Sequence, residues 1–360
     1  MPHVGVLGAG AVGAYVGARL LAGNVGEGAV SDLKVTLVGR ESLLDAVEAN
    51  GGVLVTHTIA GERADHVQDD HFVVTKDVGA LADAEIILVA VKASHTEGVA
   101  KQLRDLFAAS PGAAGPQRTI ISLQNGVTNA RILREIINDE KVAVLAGSVV
   151  FNVVWAGADF SQTTSGDIVV QDGPQASLFG RLSTRGGIPV VVQPDITALQ
   201  YGKLLINLNN AVNALAGIPI LDCFKDPGLR RSIALSIYEA IDVLSRAGIP
   251  IKSPNKSSIY MLPRLFSLPD CLFRIVMPFV IKIHPKAKTS MLQDLERGRT
   301  TEIDLLNGEI VRVAKEHNLE EPFVNATLVR LVKEAESRGS PKMDGEQLLS
   351  LLSPAPKAKH

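Results

Sequence analysis

The sequence predicts an α/β N-terminal domain, residues 1–195, followed by an all-helical C-terminal domain, residues 196–338. Three observations carry this division. Short aliphatic runs alternate with helical patterns through the first half, as in βαβ units on a parallel sheet. A glycine turn of the form G-x-G-x-x-G stands between the first such run and the first helical pattern. Beyond Pro194 the strand-like runs thin out and apolar residues recur at helical spacing.

In chain order, His3-Val4-Gly5-Val6-Leu7 reads as the first strand, and a helix is expected from the glycine turn to about Leu21. A glycine-rich insert, residues 22–32, precedes a second strand over Val35-Thr36-Leu37-Val38. Residues 85–91 are continuously aliphatic after Glu85, the mark of a strand buried on both faces. Thr119-Ile120-Ile121-Ser122-Leu123 is another strand. Residues 148–154, 166–170 and 189–192 are candidates to extend the sheet, with antiparallel members among them. Helical patterns then cover residues 196–216, 227–247, 289–318 and 322–337. The proline-punctuated stretch 253–288 resists assignment. After Arg338 the chain turns polar and proline-containing, so residues 339–360 are expected to form a frayed tail.

Composition excludes several classes. Of the 360 residues, 46% are apolar and 21% charged, a globular balance far from that of disordered chains. Lys plus Arg number 36 and Asp plus Glu 38, with no long block of either sign, which argues against a dominant nucleic-acid or membrane surface. Two cysteines rule out a disulfide framework and a Cys-rich zinc site. The uncharged stretch 4–18 lacks the basic lead-in of a secretory signal. Apolar tracts at 142–158 and 272–283 are interrupted by Asn152 and by Arg274 and Pro278, and read as buried core rather than membrane spans. The expected compartment is the cytoplasm. His57, His66 and His71, with Asp65, Asp69 and Asp70, fit no compact metal-ligand spacing; they read as a solvated loop, and no metal site is expected. Residues 262–283, rich in Pro, Phe and Leu, read as a packed lid or core segment, with a homodimer or membrane surface as the alternative.

Gly8-Ala9-Gly10-Ala11-Val12-Gly13 follows a strand and opens a helix, the context in which this pattern marks a Rossmann-type dinucleotide site. Gly8 makes the tight turn, Gly10 lets a pyrophosphate approach the backbone, and Gly13 allows close helix–strand packing. The helix start through Ala11 and Val12 offers backbone N–H groups to the phosphates. The second strand ends in Gly39-Arg40, where an NAD site carries an acidic residue and an NADP site an Arg. Glu41 is one place late and beside a cation; Asp32 precedes the strand. The expected cofactor is therefore NADPH, with Arg40 on the 2′-phosphate. Lys92 and Asn125 follow two further strands, at carboxyl ends that face the ligand crevice in such sheets. They are candidates for nicotinamide, ribose or substrate contacts, or ordinary loop residues.

In the helical half, Lys203, Asn207 and Asn210 fall within roughly 60° of one another on a continuous helix. Such a polar stripe among Leu and Ile is costly to bury without partners; it is a candidate site, or a face bonded to the neighbouring domain. Ser290-Met291-Leu292-Gln293-Asp294 and Thr301-Glu302-Ile303-Asp304 frame a glycine, Gly298, that suggests a kink or a close approach, although a charge run of this kind is ordinarily a solvated face.

These segments together, with Val91-Lys92-Ala93, Leu123-Gln124-Asn125-Gly126 and Asn307-Gly308, occur in the order found in the ketopantoate reductase (2-dehydropantoate 2-reductase) family, which the chain resembles over most of residues 4–310. The stretch from Ser290 to Gly308 is the most specific; the glycine turn is shared with many dinucleotide enzymes. The resemblance implies a Rossmann domain, a helical domain and a substrate cleft between them, with NADPH-dependent reduction of 2-dehydropantoate to pantoate on the way to coenzyme A. It implies that Lys203 is the general acid, Glu302 its partner and a substrate contact, Asn207 and Ser290 substrate ligands, and Lys92 and Asn125 contacts to cofactor or substrate. The family often carries a second Asn eight residues after the lysine, where this chain has Ala211; Asn210 is the candidate substitute. Two alternatives remain: a reductase of another 2-oxo acid, and an NADPH-binding regulator without catalysis.

Overall fold

The structure, a computed structural model, describes residues 2–24, 33–110, 117–253, 258–280 and 287–353. The chain divides into two compact units, residues 1–196 and 197–360.

The first unit opens with β1 (His3–Leu7), α1 (Ala11–Ala22), β2 (Lys34–Val38) and α2 (Glu41–Ala49). It continues with β3 (Val53–His57), β4 (Arg63–Val67), β5 (Phe72–Thr75), β6 (Ile86–Val89), α3 (Thr96–Ala109), β7 (Arg118–Ser122), α4 (Asn129–Ile137) and β8 (Val142–Val149). Then come β9 (Val153–Ala156), β10 (Asp159–Gln162), β11 (Ile168–Gln171), α5 (Ala176–Arg185) and β12 (Val190–Gln193). The main sheet has the order β12-β11-β8-β7-β6-β1-β2-β5. From β8 to β5 every neighbouring pair is parallel; β11 runs antiparallel to β8, and β12 parallel to β11. The strands the sequence marks as continuously aliphatic lie at its centre, with Val4, Val6, Ile86, Leu88 and Ile121 wholly buried.

Two expectations for this unit are corrected. Residues 57–71 are not a solvated loop. β3 and β4 form an antiparallel hairpin in a smaller sheet, β4-β3-β10-β9, and β5 joins the main sheet. His66 faces inward, 5% exposed, with its ring 5.5 Å from that of Phe72. The hairpin escapes notice in the sequence because only one face is buried, so polar residues alternate through it. Residues 148–154 are also not one strand: β8 ends at Val149 and β9 begins at Val153 in the other sheet.

The second unit is helical among the described residues. It contains α6 (Thr197–Asn207), α7 (Asn209–Ala216), α8 (Ile220–Lys225), α9 (Pro227–Arg246), α10 (Leu262–Phe266) and α11 (Asp270–Val280). α12 (Ser290–Glu296), α13 (Asn307–Glu316), α14 (Phe323–Arg338) and α15 (Gly345–Leu352) follow. The expected helix over 196–216 is interrupted at Leu208, where the Asn209 amide donates to the Ile206 carbonyl at 2.5 Å, competing with the helical ladder. The pattern over 289–318 breaks at Gly298, whose φ of +60° makes a turn. Nothing stands within 4 Å of the place a Cβ would occupy there, so the glycine serves the turn and not a close approach.

The frayed tail is a third correction. Residues 345–352 form α15, started by a capping box between Asp344 and Gln347 and packed on α9 through the wholly buried Leu348 and Leu352. Residues 354–360 lie outside the described residues, as does most of the 22–32 insert with Asp32. In the stretch left unassigned, Phe266 and Phe273 are buried while Leu272 and Ile275 are exposed, so only part of it is packed. No helix among the described residues is long and apolar enough to cross a membrane.

Candidate active site

The register of the main sheet brings five strand ends of the first unit onto one edge. Leu7 lies opposite Val38 and Val89, Val89 opposite Ser122, and Val38 opposite Thr75. The residues that follow are the Gly8 turn, Gly39-Arg40, Lys92, Asn125 and Lys76. The strand order reverses between β1 and β6, with β2 on one side of β1 and β6 on the other, the point at which such sheets bind ligands. Gly8, Gly10, Arg40, Lys92 and Asn125, separated widely in sequence, therefore share one crevice edge.

The glycine turn fits a dinucleotide. Gly8 has φ +98°, and a Cβ there would stand 2.5 Å from the Val91 nitrogen. A Cβ at Gly13 would stand 2.4 Å from the Gly8 carbonyl oxygen. Gly10 has open space instead, with nothing within 4 Å. It is the N-cap of α1, no side chain caps that end, and no acidic residue occupies the first turn. Two of the glycines close the turn and the third leaves its backbone approachable, as a pyrophosphate requires. The side chain of Arg40, the exposed N-cap of α2, makes no hydrogen bond or ion pair among the described residues, while its carbonyl accepts from the Leu43 N–H at 2.9 Å. Glu41 is instead held by Lys76.

Sequence reasoning missed the side chains that fix this edge. The Gln124 amide donates to Thr96 Oγ1 at 2.7 Å, and Ser122 Oγ donates to Gln124 Oε1 at 3.0 Å. Thr96 Oγ1 lies 2.8 Å from both the Ala93 carbonyl and Asn129 Oδ1, and the Asn129 amide donates to the Asn125 carbonyl at 2.6 Å. This buried chain of polar groups ties the loop after β6 to the loop after β7. Only the run Leu123-Gln124-Asn125-Gly126 hinted at it.

In the second unit the structure couples Lys203 on α6 to Glu302, the residue before a short 3-10 turn. Burial pushes the Lys203 amine from 10.5 down to about 8, and the Glu302 carboxylate opposes that shift. Asn207 lies one turn beyond Lys203 on α6, and Asn210 lies in the first turn of α7. The amides of both make no hydrogen bond among the described residues, although Asn210 is only 9% exposed. Ala211 is wholly buried, which leaves Asn210 as the residue of the two that reaches the surface. Ser290 is exposed at the start of α12.

Three long-range ties set this geometry. The Tyr201 hydroxyl on α6 donates to Glu309 Oε1 on α13 at 2.9 Å, and Arg312 donates to both Glu309 oxygens at 2.6 Å. The Thr301 backbone and hydroxyl donate to Glu336 Oε1 at 2.7 and 2.8 Å, fixing the residue next to Glu302. Asn213 Oδ1 on α7 accepts from the Thr289 N–H and hydroxyl at 3.1 and 2.9 Å, which seats the N-terminus of α12.

Known proteins share this arrangement of segments. Residues 4–175 match the family model for Ketopantoate reductase PanE/ApbA, and residues 195–336 match that for Ketopantoate reductase PanE/ApbA C terminal. The 2-dehydropantoate 2-reductase of Archaeoglobus fulgidus is 26% identical over 345 residues, covering 93% of this chain and 98% of that protein. The crystal structure of a PanE/ApbA family ketopantoate reductase from Ralstonia eutropha JMP134 superposes with a TM-score of 0.72 at 25% identity, over 93% of this chain and 99% of the other. D-mandelate dehydrogenase, in its ternary structure with NADH and anilino(oxo)acetate, has a TM-score of 0.69 at 19% identity, over 93% and 99%. That last likeness is one of fold.

Proposed function

The chain belongs to the ketopantoate reductase family, and from that premise we propose that it reduces 2-dehydropantoate to pantoate with NADPH. Membership makes it a nicotinamide-dependent 2-oxo-acid reductase. The observation that carries the mechanism is the Lys203–Glu302 coupling. Lys203 stays mostly protonated near neutral pH yet releases its proton readily at about 8, the match a general acid needs.

Bound NADPH would supply a hydride to the 2-oxo carbon. Negative charge then develops on the carbonyl oxygen, where the Lys203 ammonium stabilises it and delivers the proton from Nζ. Glu302 keeps that ammonium charged against burial. Asn207 and Asn210 have amide donors to spare for the substrate carboxylate, and Ser290 a hydroxyl. On the first unit, the amides at the start of α1 would receive the pyrophosphate, Arg40 the 2′-phosphate, and Lys92 and Asn125 the ribose or nicotinamide end.

Purified protein, NADPH and a panel of 2-oxo acids test the reading, with NADPH absorbance as the signal. Rapid oxidation with 2-dehydropantoate alone, abolished in Lys203→Ala while NADPH still binds, is the expected result. Preference for a different 2-oxo acid would move the substrate assignment to the second reading, which Ala211 favours. Binding without turnover on any acid would leave only a regulator, a role that does not need Lys203 and Glu302 together.

A further inference from the structure

Glu41 opens α2, one residue after Arg40, and an acidic side chain in this region serves the ribose hydroxyls of an NAD site. Left alone, it would repel a 2′-phosphate. Lys76 Nζ donates to both its oxygens, at 2.7 and 2.6 Å. Lys76 follows β5, the strand beside β2, with Thr75 opposite Val38 and the Gly39 N–H donating to the Thr75 carbonyl at 2.9 Å. Arg40 and Lys76 thus leave adjacent strand ends on the crevice edge. The side chains of Lys76 and Glu41 are 53% and 68% exposed, so the pair adds little to the stability of the fold. Its larger consequence is for the local potential.

We propose that Lys76 is a second specificity-determining residue for the cofactor's 2′-phosphate, neutralising Glu41 and placing a second cation beside Arg40. The proposal rests on the reading of this edge as the site of the adenosine ribose. With Lys76 present, the trio of Arg40, Glu41 and Lys76 carries one net positive charge. Without it the trio is neutral, and without Glu41 it carries two. A phosphate of charge near −2 should bind most tightly without Glu41, less tightly to the parent and least without Lys76, whereas a ligand lacking the 2′-phosphate should not follow this ranking.

The test is equilibrium binding of adenosine 2′,5′-bisphosphate and of 5′-AMP to the full chain, read by calorimetry and independent of turnover. Lys76→Gln should weaken the bisphosphate roughly tenfold and leave 5′-AMP within about twofold, as expected for one charge-assisted contact. Glu41→Gln should tighten the bisphosphate, and Lys76→Gln combined with Glu41→Gln should return to the parent value. Arg40→Ala serves as the reference. If Arg40→Ala is selective for the bisphosphate while Lys76→Gln weakens both ligands equally or neither, the role of Lys76 is wrong and the reading of Arg40 stands. If neither variant discriminates between the ligands, the edge does not read the 2′-phosphate and both assignments fall.

Discussion

The Lys203–Glu302 pair predicts a shift in pH dependence that a structural ion pair would not produce. Glu302→Gln removes the charge that holds the Lys203 amine up and leaves the burial that drives it down from 10.5 to about 8. An opposite charge close by is worth about one to three pKa units. In the parent enzyme about nine-tenths of Lys203 is protonated at pH 7; a drop of one unit leaves about half, and a drop of two about one-tenth. With Lys203 as the proposed general acid, reduction requires the protonated amine, so the variant should lose about two- to tenfold of kcat at pH 7 and recover much of it about one to two units lower. Alcohol oxidation needs the neutral amine and should gain on the same side. The assay is the initial rate of NADPH oxidation at saturating substrate across about pH 5.5 to 9, with the reverse reaction as a check. An alkaline limb that stays in place, or moves upward, would refute the pairing, whatever happens to the absolute rate.

Three further outcomes follow from the packing. Gly10→Ala should keep the parent melting temperature and weaken NADPH binding, because its Cβ meets only open space; Gly13→Ala should instead lower the melting temperature, since its Cβ collides with the Gly8 carbonyl, and the reverse pattern would remove the pyrophosphate assignment. Burial lowers His66 from 6.5 to about 4, so the unfolded chain takes up a proton first as pH falls from 6.5 toward 4, and up to about 3 kcal/mol of stability drains away in that window. His3, lowered mainly by burial, acts in the same direction; His66→Leu should flatten the acid dependence of urea unfolding, and an unchanged slope would contradict the buried neutral imidazole. Leu348→Ala should cost about 2–5 kcal/mol by opening a cavity under α15, whereas a tail that did not pack would register no change in thermal unfolding.

What could be read from the sequence follows from which interactions are local. Strands β1, β6 and β7 are buried on both faces, so their aliphatic runs announce themselves, and the glycine turn is a local steric requirement written in three residues. The β3–β4 hairpin shows only one face to the core, and its His57, Asp65 and His66 resemble a polar loop until the pairing of Val55 with Asp65 is known. Residues 345–352 were hidden by the polar, proline-bearing sequence around them, although Asp344, Gln347 and the Leu348–Leu352 spacing hold all that a capped amphipathic helix needs. The candidate site is the extreme case. Nothing periodic links Lys203 to Glu302, and no spacing rule links Tyr201 to Glu309, Thr301 to Glu336, or Thr96 to Gln124 and Asn129. Family resemblance supplies the first pair because it carries the outcome of folding; it is silent on the supports. Those supports are polar, long-range and largely buried, so each is costly to leave unpaired. The requirement that every such group find a partner holds α6 to α13 and the Glu302 segment to α14, and thereby limits how far Lys203 and Glu302 can drift apart.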